Sequence, residues 1–345
     1  MGANQSNQNK DYLDFKDRIF NWIPEEIEND TTNEKVYDRV NEKFRRSYLS
    51  VNHEPYCGPV FNQGNLGSCT ANAIAGAYMY KYNLEHDIHS NDEYLNSESE
   101  SDSEFDNSST EIINNTAVEF MPSRLFIYYN ERAVEHSTST DSGARIIDGI
   151  KSLESNGVCS EKEWPYDISK FTNKPIEECY KDAEKHKCVK YHRVLKTVEN
   201  LKACIDQGNV IIFGFTVFSS FKDPNMWTSN YIMPSPQIND ELLGGHAVLM
   251  IGYDDDLECF IIRNSWGADW GNSGDFYMPY KFVMGTFNMR KTDLGLSWWD
   301  DLEEQMIDSN IDSDTKTLEN NPNFIQPYCS DFYVIDATFD KDTSL

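Results

Sequence analysis

The chain has 345 residues, with 58 acidic against 30 basic side chains and a formal net charge of −28. That imbalance argues against electrostatic binding to nucleic acid or to an anionic membrane, both of which need clustered Lys and Arg. No apolar run approaches the roughly 20 residues that span a bilayer, so no stable membrane insertion is expected, while 39% apolar residues can support a core. In chain order, MGANQSNQNKDYLDF lacks the apolar centre of a signal peptide, which points to synthesis in a reducing cytosol. Its first six residues fit the M-G-x-x-x-[ST] pattern, which would add one weak myristoyl anchor at Gly2. Residues 1–55 read as a polar, partly disordered arm ahead of a domain covering 56–345. Residues 69–82, CTANAIAGAYMYKY, have the small side chains of a packed helix. Residues 86–116 are too polar to offset their ordering entropy and read as a disordered acidic insertion.

Helical pattern resumes at PSRLFIYYNERAVEH, with Ser123 as a cap behind Pro122. A further helix spans roughly 144–155 and stops at Gly157. The charged segment 174–190 has helical composition. Residues 210–218 (VIIFGFTVF), 246–253 and 259–264 are β-rich and apolar. A second acidic insertion, 298–322, precedes a final strand, DFYVIDATF. A helical first half and a β-rich second half predict an α+β fold of two lobes.

The chemistry centres on QGNLGSCTANA, residues 63–73. A thiolate is stabilised at a helix N-terminus and beside an imidazolium, and Cys69 stands where the helix begins. Gly64 and Gly67 suit a turn that brings backbone N–H groups to a carbonyl. The Gln63 amide and the Cys69 N–H would form an oxyanion hole. Of seven histidines, six lie in polar surroundings; His246 opens an apolar strand in GGHAVLMIGYDD. With DDDLE as a hairpin loop centred on Asp255, His246 falls opposite Asn264 (246 + 264 = 2 × 255). An Asn amide oxygen there would orient the imidazole and leave its other nitrogen for Cys69. Eight cysteines without a C-x-x-C pair read as mostly reduced thiols, with a pair among Cys159, Cys179, Cys188 and Cys204 left open.

These motifs, Q63-G-N-L-G-S-C69, G245-H246-A-V-L-M-I-G-Y253 and R263-N264-S-W266-G-A-D-W270-G, resemble those of papain-like (family C1) cysteine peptidases, in the family's order. The wording GSCTANAIAGA is similar to bacterial and large-virus members. The resemblance implies a helical left lobe, a β-barrel-like right lobe and an active-site cleft between them. It implies Cys69 as nucleophile, His246 as its acid–base partner, Asn264 as orienter and Gln63 in the oxyanion hole. Trp266 would shield the His–Asn contact. Gly143, in DSG, falls where the family pairs with substrate backbone, and Gly67, Ser68 and Trp266 complete the candidate substrate contacts. Leu66 replaces a cysteine that many members bridge, so that local disulfide cannot form. A polypeptide substrate and no metal or organic cofactor are expected, with endopeptidase action favoured. Two other readings use the same residues: a binding protein with an occluded cleft, and thioester chemistry directed to transfer or isopeptide cleavage. The arm either lies across the cleft as a propeptide does or serves as a structural element.

Overall fold

The computed structural model describes residues 13–15, 18–25, 36–37, 48–89, 120–289 and 324–339. The expected Gly2 anchor site and most of both acidic insertions, 90–116 and 298–322, lie outside those residues.

Helix α1, Cys69–His86, buries residues on every side. Its run of Ala, Gly and Thr lets neighbours approach closely from all directions, as a helix inside a core must. It continues past Tyr82, where the sequence pattern placed its end, and stops with Asp87 in the left-handed region. The His86 ring stays on this last turn, stacked on Tyr82 at 4.2 Å. Helices α2, Arg124–Val134, and α3, Ile146–Asn156, follow. Ser123 caps α2 as expected, its hydroxyl accepting from the Phe126 N–H, and Gly157 closes α3 at positive φ. The charged stretch 174–190 is only partly helical. Helix α4 is Glu177–Ala183, and strand β3, His186–Val194, takes the rest. Pairing with a strand from the chain's end overrides the local composition there.

The remaining elements are α5 Val198–Asp206, β4 Ile211–Phe218, β5 Leu242–Asp254, β6 Cys259–Arg263, β7 Asp275–Pro279, α6 Tyr280–Val283, β8 Thr286–Met289, β9 Phe324–Pro327 and β10 Cys329–Phe339. Two short strands precede α1: β1, Val36–Tyr37, and β2, Ser50–Asn52. Among the described residues one sheet runs in the order β1-β3-β10-β4-β5-β6-β7, with β2 on β5. Its pairings are antiparallel except β1 with β3.

The strand period of two divides the apolar residues between two cores. Ile212, Ala247, Leu249 and Ile251 face α1, α2 and α3. Ile211, Phe213, Phe215, Val248 and Met250 face the other way, into a core shared with Trp227, Trp266, Trp270 and Phe276. The helical lobe therefore rests on one face of the sheet, and β5 carries residues of both cores past the start of α1. All eight cysteines are buried free thiols.

Candidate active site

Cys69 opens α1, and the loop before it is tied down at almost every residue. The Gln63 N–H donates to Ser265 O at 2.9 Å, and the Gly267 N–H to Phe61 O at 2.9 Å, so the loop runs along the segment after β6. The buried Gln63 amide donates through Nε2 to Leu66 O at 2.9 Å and accepts from Ser265 Oγ at 2.6 Å. One Nε2 hydrogen is engaged by Leu66, which leaves the second for a ligand. Gly64 turns the loop at φ +63°. The Gly67 N–H donates to both carboxylate oxygens of Asp141 at 3.0 Å. The Tyr128 hydroxyl donates to that same carboxylate. The Ser68 hydroxyl lies 2.5 Å from the Tyr166 hydroxyl, which donates to Gln63 O. Ser68 is thus engaged inside the lobe.

His246 lies on β5, fully buried. Its Nε2 is 2.8 Å from Asn264 Oδ1. That oxygen also accepts the Ser265 N–H at 2.8 Å, so Nε2 carries the hydrogen and Nδ1 is the basic nitrogen of the neutral ring. Nδ1 has no hydrogen-bond partner among the described residues. Trp266 stacks on the imidazole at 5.0 Å, and Phe20 and Phe215 meet it edge-on.

The contact between His246 and Asn264 forms, but not by the expected register. The β5–β6 pairs are Asp254 with Cys259 and Tyr253 with Phe260, and after a bulge at Ile251 they become Met250 with Ile262 and Leu249 with Arg263. The turn is centred beyond Asp255, with Glu258 at positive φ, and β6 ends at Arg263. The direct cross-strand neighbour of His246 is Phe215 on β4. Asn264 reaches the ring from just past the strand end, where its N–H donates to Gly274 O.

The N-terminal arm lies across this site. Trp22 N–H donates to Gly245 O at 2.8 Å and Ile23 N–H to Ala144 O at 3.1 Å. The Asn21 amide donates to Asp141 O at 3.0 Å. Gly143 has φ +76°, and a β-carbon there would overlap Asn21 O, so the glycine allows the arm to approach. Arg18 reaches Trp266 O and stacks over the Trp266 ring. Burial pushes the Cys69 thiol up to about 12; the nearby Glu131 charge adds to this, and the backbone of Ala247, Asn21 and Thr70 opposes it. Burial pushes His246 down to about 4; the Asn264 bond opposes this and the Arg18 charge adds to it. With the arm seated, burial thus favours the neutral form of both groups.

The structure ties Gln63 to Ser265, next to Asn264, and His246 to Asn264 and Trp266; Cys69 stands at the head of α1 near the backbone of Ala247, and Gly67 and Gly143 lie along the arm. Sequence reasoning did not single out Asp141, Tyr128, Tyr166 or Ser265. DSG stood out around Gly143, but nothing in it, or in the sequence around Tyr166, shows that Asp141 and Tyr166 reach back to the loop before Cys69. Nor did the sequence show that Asn21 and Trp22 would sit over Cys69.

A sequence profile of the papain family of cysteine proteases matches residues 134–290. A peptidase C1-like protein of Acanthamoeba polyphaga mimivirus is 41% identical over 230 residues, which cover 64% of each chain. This chain therefore spans 64% of that curated relative's length. Xylellain, a cysteine protease from Xylella fastidiosa, is similar at 32% identity with a TM-score of 0.64, over 92% of this chain and 95% of its own. Procathepsin B from Trypanosoma congolense, 14% identical, shares the fold with a TM-score of 0.52 over 76% of this chain and 81% of its own.

Proposed function

The chain belongs to the papain family of cysteine proteases, and on that premise we propose that it hydrolyses internal peptide bonds through Cys69 and is latent while its arm is seated. The observation that carries the reading is the His246–Asn264 bond, which fixes the tautomer and leaves Nδ1 as the base for a thiol at the head of α1. Cys69 attacks the scissile carbonyl, forming the S–C bond as its proton passes to His246. The oxyanion is met by the Cys69 N–H and the second Nε2 hydrogen of Gln63. His246 then gives its proton to the leaving amine as the C–N bond breaks, and water hydrolyses the thioester. Asn264 orients the imidazole through both steps, and Trp266 keeps water from that hydrogen bond.

Latency follows from what the arm covers: the Trp22 N–H donates to Gly245 O, next to His246, the Phe20 ring meets the imidazole edge-on, and Asn21 packs against Gly143 and Gly67. Loss of the arm readmits water, which removes the burial that holds Cys69 and His246 neutral and favours the ion pair.

The test is cleavage of a fluorogenic peptide by full-length protein carrying Trp22→Ala, with and without Cys69→Ala, and mass analysis of the products. Internal fragments that need Cys69 support the endopeptidase reading. Products joined to an added amine would support acyl transfer instead. A folded Trp22→Ala chain that cleaves nothing would leave the occluded binding protein as the better reading.

A further inference from the structure

The loop before the nucleophile is tied to a distant segment by one carboxylate. Gly67, two residues before Cys69, shares its N–H between both oxygens of Asp141 at 3.0 Å. The Tyr128 hydroxyl donates to Oδ1 of the same carboxylate and accepts the Gly143 N–H at 3.3 Å. A chain of hydrogen bonds thus runs from the Cys69 loop, through Asp141 and Tyr128, to the glycine that the family resemblance assigns to substrate backbone.

The far end of that chain is rigid. Tyr128 and Arg132 stand four residues apart on α2 and share a face. Both are fully buried, with the guanidinium over the Tyr128 ring at 4.0 Å. Arg132 donates to Thr138 O at 3.1 Å, to Thr140 O at 2.7 Å and to Phe171 O at 2.5 Å. The segment that carries Asp141 is therefore fixed from α2 before it reaches the loop. The loop has no covalent tie of its own here, because Leu66 stands where many family members have a bridged cysteine. Gly67 leaves the space that the contact needs: a β-carbon there would lie 2.9 Å from Asp141 Oδ1. A carboxylate that accepts from a backbone N–H and a phenol makes charge-assisted bonds, the shorter and stronger kind.

We propose that Asp141 is a positioning residue: with Tyr128 it sets the span between the Cys69 loop and Gly143, so that a substrate lying along Gly143 presents its carbonyl to the Cys69 N–H and Gln63. The proposal rests on the peptidase reading above. Asp141 acts through the backbone of Gly67 and not on the reacting atoms.

The experiment takes the full-length Trp22→Ala chain as parent and adds Asp141→Ala, Asp141→Asn, Tyr128→Phe, and Asp141→Ala with Tyr128→Phe. Two reagents at Cys69 separate positioning from folding. A peptide aldehyde bonds its carbonyl carbon to the sulfur, takes the thiol proton on its oxygen and so uses the oxyanion donors. Iodoacetamide alkylates the sulfur with loss of iodide and forms no oxyanion. Asp141→Ala should weaken aldehyde binding and lower kcat for a fluorogenic peptide by about 100-fold, the scale of a misplaced reacting group. KM and the iodoacetamide rate should stay within about threefold of the parent. Asp141→Asn keeps an acceptor for Gly67 and should lose only about tenfold. Tyr128→Phe keeps the ring under Arg132 and should also cost about tenfold, while the double variant loses no more than Asp141→Ala alone, because both changes break one chain. Thermal melts verify folding, and Asp141→Asn replaces the alanine variant if that one fails. Equal losses with aldehyde and iodoacetamide overturn the proposal, since they mark a general loss of structure. So does a folded Asp141→Ala chain with the kcat of the parent, and so do additive losses in the double variant. If the parent neither binds the aldehyde nor cleaves peptide while iodoacetamide modifies Cys69, the peptidase reading itself fails and takes the role of Asp141 with it.

Discussion

The loop that carries Cys69 and the arm that covers it lie against each other, yet they are held in opposite ways. In the loop, Gln63, Gly67 and Ser68 are fixed by Leu66, Ser265, Asp141 and Tyr166. None of these hydrogen bonds has a partner in the arm. The arm is held by two backbone N–H bonds, the Asn21 amide, long contacts from Arg18 to Trp266 O and Asn62 Oδ1, and aromatic burial at places where glycines leave room. Its exit is held differently again. Glu25 N–H donates to the buried Asp331 carboxyl, and the Glu25 carboxylate accepts from Arg193 and from Tyr333 at 2.8 Å. The difference teaches that the arm can leave without dismantling the loop. That is what the proposed latency requires: a site built in advance and covered, not assembled on release.

Removing the nucleophile is the largest way to probe that contrast. In an unlatched chain, Cys69→Ala should lower kcat by at least ~10⁴-fold, measured as peptide hydrolysis, while its melting curve stays close to that of the unlatched parent. Next comes the arm. Trp22→Ala removes a buried indole and should raise Cys69 labelling in the full chain by at least about 100-fold, since a buried Trp to Ala change costs about 3–5 kcal/mol. A small rise would mean that the polar contacts, not the indole, hold the arm. Gln63→Ala in the Trp22→Ala chain should reduce kcat by about 10²–10³-fold with little change in KM. An equal change in KM would place Gln63 in substrate binding.

The smallest effect is at the exit. Burial and the nearby Glu25 charge push Asp331 up to about 7, opposed by the Glu25 N–H and Arg193. A raised carboxyl favours the seated arm while it is protonated. That contribution is complete below the ordinary carboxylate value near 4 and is lost progressively as pH rises to about 7. The ratio of Cys69 labelling in wild type to that in Asp331→Asn should therefore rise from pH 5 to 7, by about tenfold, and level off above. The ratio cancels the titration of Cys69 itself. A ratio that falls with pH would show that the Arg193 pairing outweighs the burial of Asp331.

Much of this was legible in the sequence because the chemistry is written in short local words. Ser123 before α2, Gly157 after α3 and the apolar runs of β4, β5 and β6 gave the elements directly. Gln63, Cys69, His246 and Asn264 stood out as residue types that only make sense together. The register of β5 and β6 did not follow, because a bulge at Ile251 and a longer turn are tertiary choices that a symmetric hairpin does not encode. The arm was illegible for a related reason. Its residues 13–25 are polar with scattered aromatics, and what buries Phe15, Phe20 and Trp22 is a set of surfaces from distant parts of the chain. Gly214 inside VIIFGFTVF was the one local sign that something must come close there.

The central claim is that a complete thiol–imidazole pair lies ready beneath a removable arm. Its most direct test is the time course of Cys69 labelling by a peptidyl epoxide in full-length wild type and in Trp22→Ala, read by intact mass and peptide mapping. The account predicts a single adduct on Cys69, formed slowly in wild type and at least about 100-fold faster in the variant. A folded Trp22→Ala chain that stays unlabelled, or a wild type that labels just as fast, would contradict it.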